Sequence, residues 1–230
     1  MKPEKKILIN GYKHTLFEQD ELTESEMIEE SDAFYQFMNQ RRSIREFSDK
    51  SIPKEVIDNV IKAASTAPSG AHKQPWTFCA VSNSGLKKKI RIAAEKEEKE
   101  SYESRMSDKW LEDLGPLATD ENKPFLEKAP WLIIVFKRVF EYRKDGHKLN
   151  NYYVNESVGL ACGMLITAIH NAGLVTVTHT PSPMHFLTAI LDRPDNERPF
   201  MILPIGYSKY PTYVPDLDRK SLDEVSEFYE

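Results

Sequence analysis

"YYVNESVGLACGMLITAIHNAGLVTVTHT", residues 152 to 180, joins two different periodicities. The first twenty or so positions are mostly apolar and contain no proline. They read as a helix that stops at Gly173, a residue suited to the left-handed turn closing a helix. "LVTVTHT" follows, alternating and rich in β-branched residues, as a strand does. Alternation puts Thr176, Thr178 and Thr180 on one face and Val175, Val177 and His179 on the other. The helix is apolar on too many sides to lie on a surface. It is expected to be the central helix, covered by a sheet, by a second subunit, or by both.

The flanking chain supplies the elements that would cover it. "PKEVIDNVIKAAS" (53–65) puts Val56, Ile57, Val60, Ile61 and Ala64 on one helical face, with Pro53 at its first position. "WTFCAVS" (76–82), "WLIIVFK" (131–137) and "FMILPIGY" (200–207) read as strands. "MHFLTAIL" (184–191) reads as a short helix. Further helices are expected over 32–42 and, long and charged, over 84–111. Residues 1–30 include the acidic tract "EQDELTESEMIEES". They read as an N-terminal arm without its own core, ahead of one domain spanning 31–230.

Composition narrows the chemistry. The 230 residues carry a net charge of −5, which disfavours a nucleic-acid partner. Cys79 and Cys162 have no CxxC spacing, and His179 and His185 have no neighbours at ligand spacing. A disulfide scaffold and a metal site are therefore not expected, and a reducing, cytoplasmic setting is. No apolar run reaches the length of a membrane span, so no membrane association is expected.

Four stretches could carry function. "RRSIREF" (41–47) sets Arg41, Arg42 and Arg45 around Ser43. Such forks suit a phosphate group, and they equally suit a solvated cluster at a helix end. No glycine-rich phosphate loop occurs, so a nucleotide would be held by side chains. "APSGAHKQP" (67–75) is a proline- and glycine-fixed turn whose Ser69, Gly70 and Ala71 can offer backbone N–H groups. In "EKEEKESYESRM" (95–106), Glu98 and Tyr102 share a helical face and together could hold an ammonium group; a solvated charged helix has the same pattern. Thr180 closes the β-branched stretch, where a hydroxyl can meet a cofactor.

The order of these motifs is more telling than any one of them. "RRSIR", "TAPSGAHKQPW", "EEKESYESRM", "GLVTVTHTP", "LPIGY" and "VPDLDRK" resemble the flavin-dependent nitroreductase superfamily, and within it the iodotyrosine deiodinases, over residues 35–225. The resemblance implies an α+β fold, with a mixed sheet flanked by helices, in an intertwined homodimer with FMN at the interface. It assigns flavin contacts to Arg41, Arg42, Ser43, Arg45, Ser69, Gly70, Thr178, His179, Thr180 and Arg219. Thr180 matches the residue that bonds flavin N5, which suits stepwise electron transfer. Ala71, Glu98, Tyr102 and Lys123 match the substrate contacts, although "LGPLATDENKPFLE" around Lys123 departs from the family pattern. Glu97 is the alternative to Glu98 if the register shifts by one. The implied reaction is reductive removal of halide from halotyrosine, with NAD(P)H or a reductase as electron donor. A broad nitroreductase or quinone reductase, and a non-catalytic flavin- or halotyrosine-binding protein, fit many of the same residues. Relatives with an N-terminal membrane anchor exist; this chain is expected to be a soluble bacterial form.

Overall fold

The computed structural model describes residues 5–230. The chain divides into two compact units, one ending at Gln40 and one running Arg41–Glu230. In the first, β1 (Lys6–Ile9) and β2 (Tyr12–Thr15) pair as a hairpin. Its turn is Asn10–Gly11, both at positive φ (50° and 82°), the geometry that matches strand twist. Helix α1 (Glu24–Asn39) follows and buries no residue. The acidic tract is thus partly helical. Thr23 and Glu26 form a reciprocal capping box that starts the helix well before residue 32, and it ends before Arg41. The break therefore falls after Gln40 rather than near residue 30. Residues 1–4 of the expected arm lie outside the described residues.

The second unit is built around a four-stranded sheet. Its elements are α2 (Lys54–Ser65), β3 (Trp76–Val81), α3 (Ser84–Glu100), α4 (Asp108–Leu114), α5 (Phe125–Lys128), β4 (Trp131–Arg138), the small hairpin β5 (Phe140–Tyr142) and β6 (Lys148–Asn150), α6 (Val154–Asn171), β7 (Val175–Thr176), α7 (Phe186–Ile190) and β8 (Glu197–Gly206). Strand order is β3-β4-β8-β7, with every strand pair antiparallel. Among the described residues the one parallel pairing is an isolated bridge between Ser43 and Thr176, outside the named strands; the four-stranded sheet itself is antiparallel rather than mixed as expected.

Leu132 to Phe136 of β4 are fully buried because both faces of the sheet are covered. On one face, Val158, Ala161, Leu165 and Ile169 of α6 pack with Ile57, Val60 and Ala64 of α2. On the other, Ile90 and Ala94 of α3 pack with Leu126 and Leu187. Helix α6 ends as expected, with Gly173 at φ 71°. Its opposite stripe, Gly159, Leu160, Gly163 and Met164, is exposed in this chain. The sheet is therefore one cover of the central helix.

Two expected elements are shorter than read. The charged helix over 84–111 breaks: α3 ends at Glu100, a π turn spans Ser101–Arg105, and α4 starts afresh, capped by Ser107. Strand β7 stops at Thr176, and only His179 regains a bridge, to Ile202. The threonine face is accordingly broken, with Thr176 buried and Thr178 and Thr180 exposed.

Leu165 has no exposed surface and sits at the centre of the α6 packing. Leu165→Ala is expected to lower unfolding stability by about 2–5 kcal/mol, read as a shifted denaturant midpoint with an unchanged slope.

Candidate functional site

Residues 41–47 run extended after α1, with Ile44 and Phe47 turned into the core and the arginines turned out. The Ile44 N–H donates to the Thr176 carbonyl at 3.1 Å and fixes this run beside β7. Arg41, Arg42, Ser43 and Arg45 thereby line a cavity of about 400 Å³, whose other walls include Val177, Thr178, Val214, Asp218 and Arg219. Arg219 reaches it from 178 residues away and donates to the Arg41 carbonyl at 3.0 Å. Burial, then the like charges of Arg219 and Arg42, lowers the pKa of Arg41 below the ordinary guanidinium value. Burial lowers that of Arg45 as well. Crowded guanidiniums beside a serine hydroxyl form a donor set that an anion would relieve, and a phosphate-bearing cofactor such as FMN fits it.

A second cavity, of about 250 Å³, shares Arg45, Val177 and Thr178 with the first and adds Glu98, Tyr102, Lys123, His179 and Thr180. Its apolar wall is Met106, Trp110, Leu114 and Phe125. Glu98 on α3 and Lys123 form a buried ion pair at 3.4 Å. Burial raises the Glu98 pKa, and Lys123 opposes that rise. Lys123 is held from several sides. Its backbone N–H donates to Glu95 at 2.7 Å, and its ammonium reaches the Thr119 hydroxyl at 3.1 Å and the Asp120 carbonyl. The Tyr102 hydroxyl donates to the Thr119 carbonyl at 3.2 Å. Burial is the main cause that raises the Tyr102 pKa.

The π turn sets Tyr102 and Glu98 on one wall, although the regular helix has already ended at Glu100. Glu97, the alternative to Glu98, instead bonds Arg105 at 2.9 Å and lines neither cavity. His179 is 8% exposed, with its ring edge-on to Phe125 at 5.5 Å and its Nε2 buried without a partner. Burial, then Lys123 and Arg45, pushes its pKa down to about 3.

Ser69, Gly70 and Ala71 line neither cavity. Their loop packs on the start of α6: the Gly70 N–H donates to Ser157 Oγ at 3.3 Å, and the Ser69 hydroxyl accepts from the Gln74 N–H at 2.9 Å. A Cβ at Gly70 would meet the Tyr153 ring at 2.8 Å, so any larger residue there would have to displace that ring. Ala71, His72 and Gln74 all adopt positive φ, a costly conformation for residues with side chains. Sequence reading missed Thr119, Glu95 and Arg105. Arg105 lies three positions beyond Tyr102 and was legible as a neighbour on the same turn.

The nitroreductase family model matches residues 38–207. An iodotyrosine deiodinase of Haliscomenobacter hydrossis is 59% identical over 204 residues, covering 89% of this chain and 92% of that protein. One of Nematostella vectensis is 46% identical over 204 residues, covering 88% and 77% respectively. A crystal structure of oxidized iodotyrosine deiodinase bound to FMN and 3-iodo-L-tyrosine superposes with a TM-score of 0.72 at 31% identity, over 85% of this chain and 98% of that one.

His179 predicts a pH dependence. Its folded pKa, about 3, lies below the ordinary 6.5, so its neutral form favours the fold fully above pH 6.5. That contribution declines as pH falls from 6.5 toward 3. Between pH 7 and 5 the loss is about 2 kcal/mol at this site. His179→Gln is expected to flatten the fall in denaturant midpoint over that interval. An equally steep fall in the variant would place the titrating group elsewhere.

Proposed function

The chain belongs to the nitroreductase family and groups with its iodotyrosine deiodinases, and on that footing we propose that it removes iodide reductively from 3-iodo-L-tyrosine, with FMN as cofactor. The observation that carries this reading is the junction of two cavities. One is lined by arginines, the other by Glu98, Tyr102 and Lys123, and they share Arg45 and Thr178. Reduced FMN, when bound, would supply the two electrons that, with one proton, turn an aryl iodide into an arene and iodide.

The residues of the chain then bind and orient. Arg41, Arg42, Ser43 and Arg219 hold the phosphate, and Arg45, common to both cavities, favours negative charge on the ring. Thr180 offers its hydroxyl to flavin N5, with Thr178 and His179 beside the ring. Glu98 takes the substrate ammonium and Lys123 the carboxylate, with Tyr102 completing the grip. A zwitterion suits this pair because each member already needs an opposite charge in a buried setting. Met106, Trp110, Leu114 and Phe125 enclose the iodinated ring and exclude water. An ortho halogen lowers the phenol pKa from about 10, so a phenolate is within reach near neutrality.

A second copy of the chain completes the site. The exposed stripe on α6, with Leu160 53% and Met164 37% accessible, needs an apolar cover. The strained loop at Ser69, Gly70 and Ala71 lies away from the cavities of its own chain, and in a homodimer it serves the partner's. Ser69 and Gly70 then meet the flavin, and the Ala71 N–H meets the phenolate. NAD(P)H or a partner reductase returns electrons to the flavin. Among the described residues no helix is long and apolar enough to cross a membrane. Cys79 and Cys162 are both free thiols, which suits the reducing, cytoplasmic setting we propose.

Two experiments test this reading. Arg41→Ala or Arg219→Ala is expected to weaken FMN binding by about 1.5–3 kcal/mol, roughly ten- to a hundredfold, in a fluorescence titration. A protein that cannot take up FMN at all rejects the reading. Glu98→Gln and Tyr102→Phe are expected to raise KM for 3-iodotyrosine by about tenfold while sparing 2-iodophenol, which has no ammonium or carboxylate. Equal damage to both substrates would reduce these residues to structural supports.

A further inference from the structure

The two cavities meet at Arg45, Val177 and Thr178, and a single guanidinium outside both ties together two segments that wall the second. The Arg105 side chain leaves the last position of the π turn that carries Tyr102. Its Nη1 donates to the Ser182 carbonyl at 2.7 Å and to Glu97 Oε2 at 2.9 Å, and its Nη2 donates to Glu100. Ser101, at the other end of the turn, directs its hydroxyl to the Glu97 carbonyl at 2.8 Å and to the same Ser182 carbonyl at 3.4 Å. Ser182 therefore accepts from both ends of the turn.

What Ser182 holds is the loop containing Thr180. Upstream, His179 is fixed by two backbone bonds to Ile202, each 2.9 Å. Downstream, Pro181 and Pro183 have no N–H to donate. Among the described residues, the next backbone group after His179 that bonds another element is the Ser182 carbonyl. The Thr180 hydroxyl thus hangs between two anchors: the sheet, through Ile202, and the turn, through Arg105.

We propose that Arg105 is a positioning residue that couples the two halves of the site, locking the end of α3 that bears Glu98 and the turn that bears Tyr102 to the loop bearing Thr180. Substrate capture at one then sets the other. The role calls for arginine, because one planar fork serves Glu97, Glu100 and Ser182 together, whereas lysine offers a point charge. The inference rests on the deiodinase reading and adds a residue outside the cavity walls. Arg105 itself lines neither cavity.

The test uses FMN-loaded protein and the variants Arg105→Lys and Arg105→Gln. Three quantities are compared: the Kd of 3-fluorotyrosine, read from the flavin absorbance change; kcat with 3-iodotyrosine; and kcat with 2-iodophenol. Both variants are expected to melt within a few degrees of wild type, to bind 3-fluorotyrosine about tenfold more weakly, and to lose several-fold in kcat with both substrates. Lysine is expected not to rescue. Loss confined to 3-fluorotyrosine affinity and 3-iodotyrosine, with 2-iodophenol spared, would mean that Arg105 supports the turn alone and would overturn the coupling. So would wild-type behaviour of the lysine variant. Should the variants unfold, Ser101→Ala, which removes the second bond to Ser182, is expected to give the same two-substrate loss in weaker form, and unchanged kcat there overturns the proposal. Wild-type protein that holds FMN but ignores 3-fluorotyrosine would instead remove the deiodinase reading on which the inference stands.

Discussion

A single backbone hydrogen bond, from the Ile44 N–H to the Thr176 carbonyl, sets the geometry of the site. It attaches the arginine run to the end of β7 by a parallel bridge between Ser43 and Thr176. The inward side chains Ile44 and Phe47 hold the run down, so Arg41, Arg42 and Arg45 must face outward. Just past Thr176 the strand gives way to the irregular stretch that presents Thr178 and Thr180. The arginine-lined cavity and the cavity with the ion pair therefore share a wall because two chain segments share a ladder rung.

The two cavities treat charge differently. In the first, guanidiniums crowd one another, and the pKa of Arg41 is lowered by burial first and by the like charges of Arg219 and Arg42 second. Such a site favours an incoming anion before any specific contact forms. In the second, Glu98 and Lys123 neutralise each other in a buried position, where either charge alone would be costly. An amino-acid zwitterion is net neutral and carries both complements, so it can enter without leaving a buried charge unpaired. A simple phenol cannot make that exchange. On the proposed reading, discrimination between substrates would come from electrostatics at one end of the ligand, and reactivity from the flavin at the other.

Much of this was legible in the sequence. The apolar circumference of α6, the stop at Gly173 and the three main strands all follow from periodicity and local chemistry. Glu98, Tyr102, Lys123 and Thr180, singled out from motifs far apart in the sequence, line one cavity. What stayed hidden depends on tertiary contacts. The helix break after Glu100 has no proline or glycine to announce it; the π turn there is held by Arg105 and by Ser182, 77 residues onward. Strand β7 ends at Thr176 although its β-branched pattern continues, because only His179 beyond it finds a partner on β8. The helix at 32–42 was misplaced because a capping box inside an acidic tract outweighed the tract's polar character.

The separation of Ser69, Gly70 and Ala71 from the cavities was equally invisible, since a turn motif does not say which surface its backbone faces. The central claim is that halotyrosine reduction is the native chemistry of the joined site. The direct measurement is anaerobic turnover of 3-iodo-L-tyrosine by the FMN-loaded protein with dithionite, counting iodide and L-tyrosine against electrons consumed. The account predicts one iodide and one tyrosine for every two electrons, with 2-iodophenol turned over at much lower kcat/KM. Reduction of nitroaromatics or quinones without iodide release from iodotyrosine would contradict it.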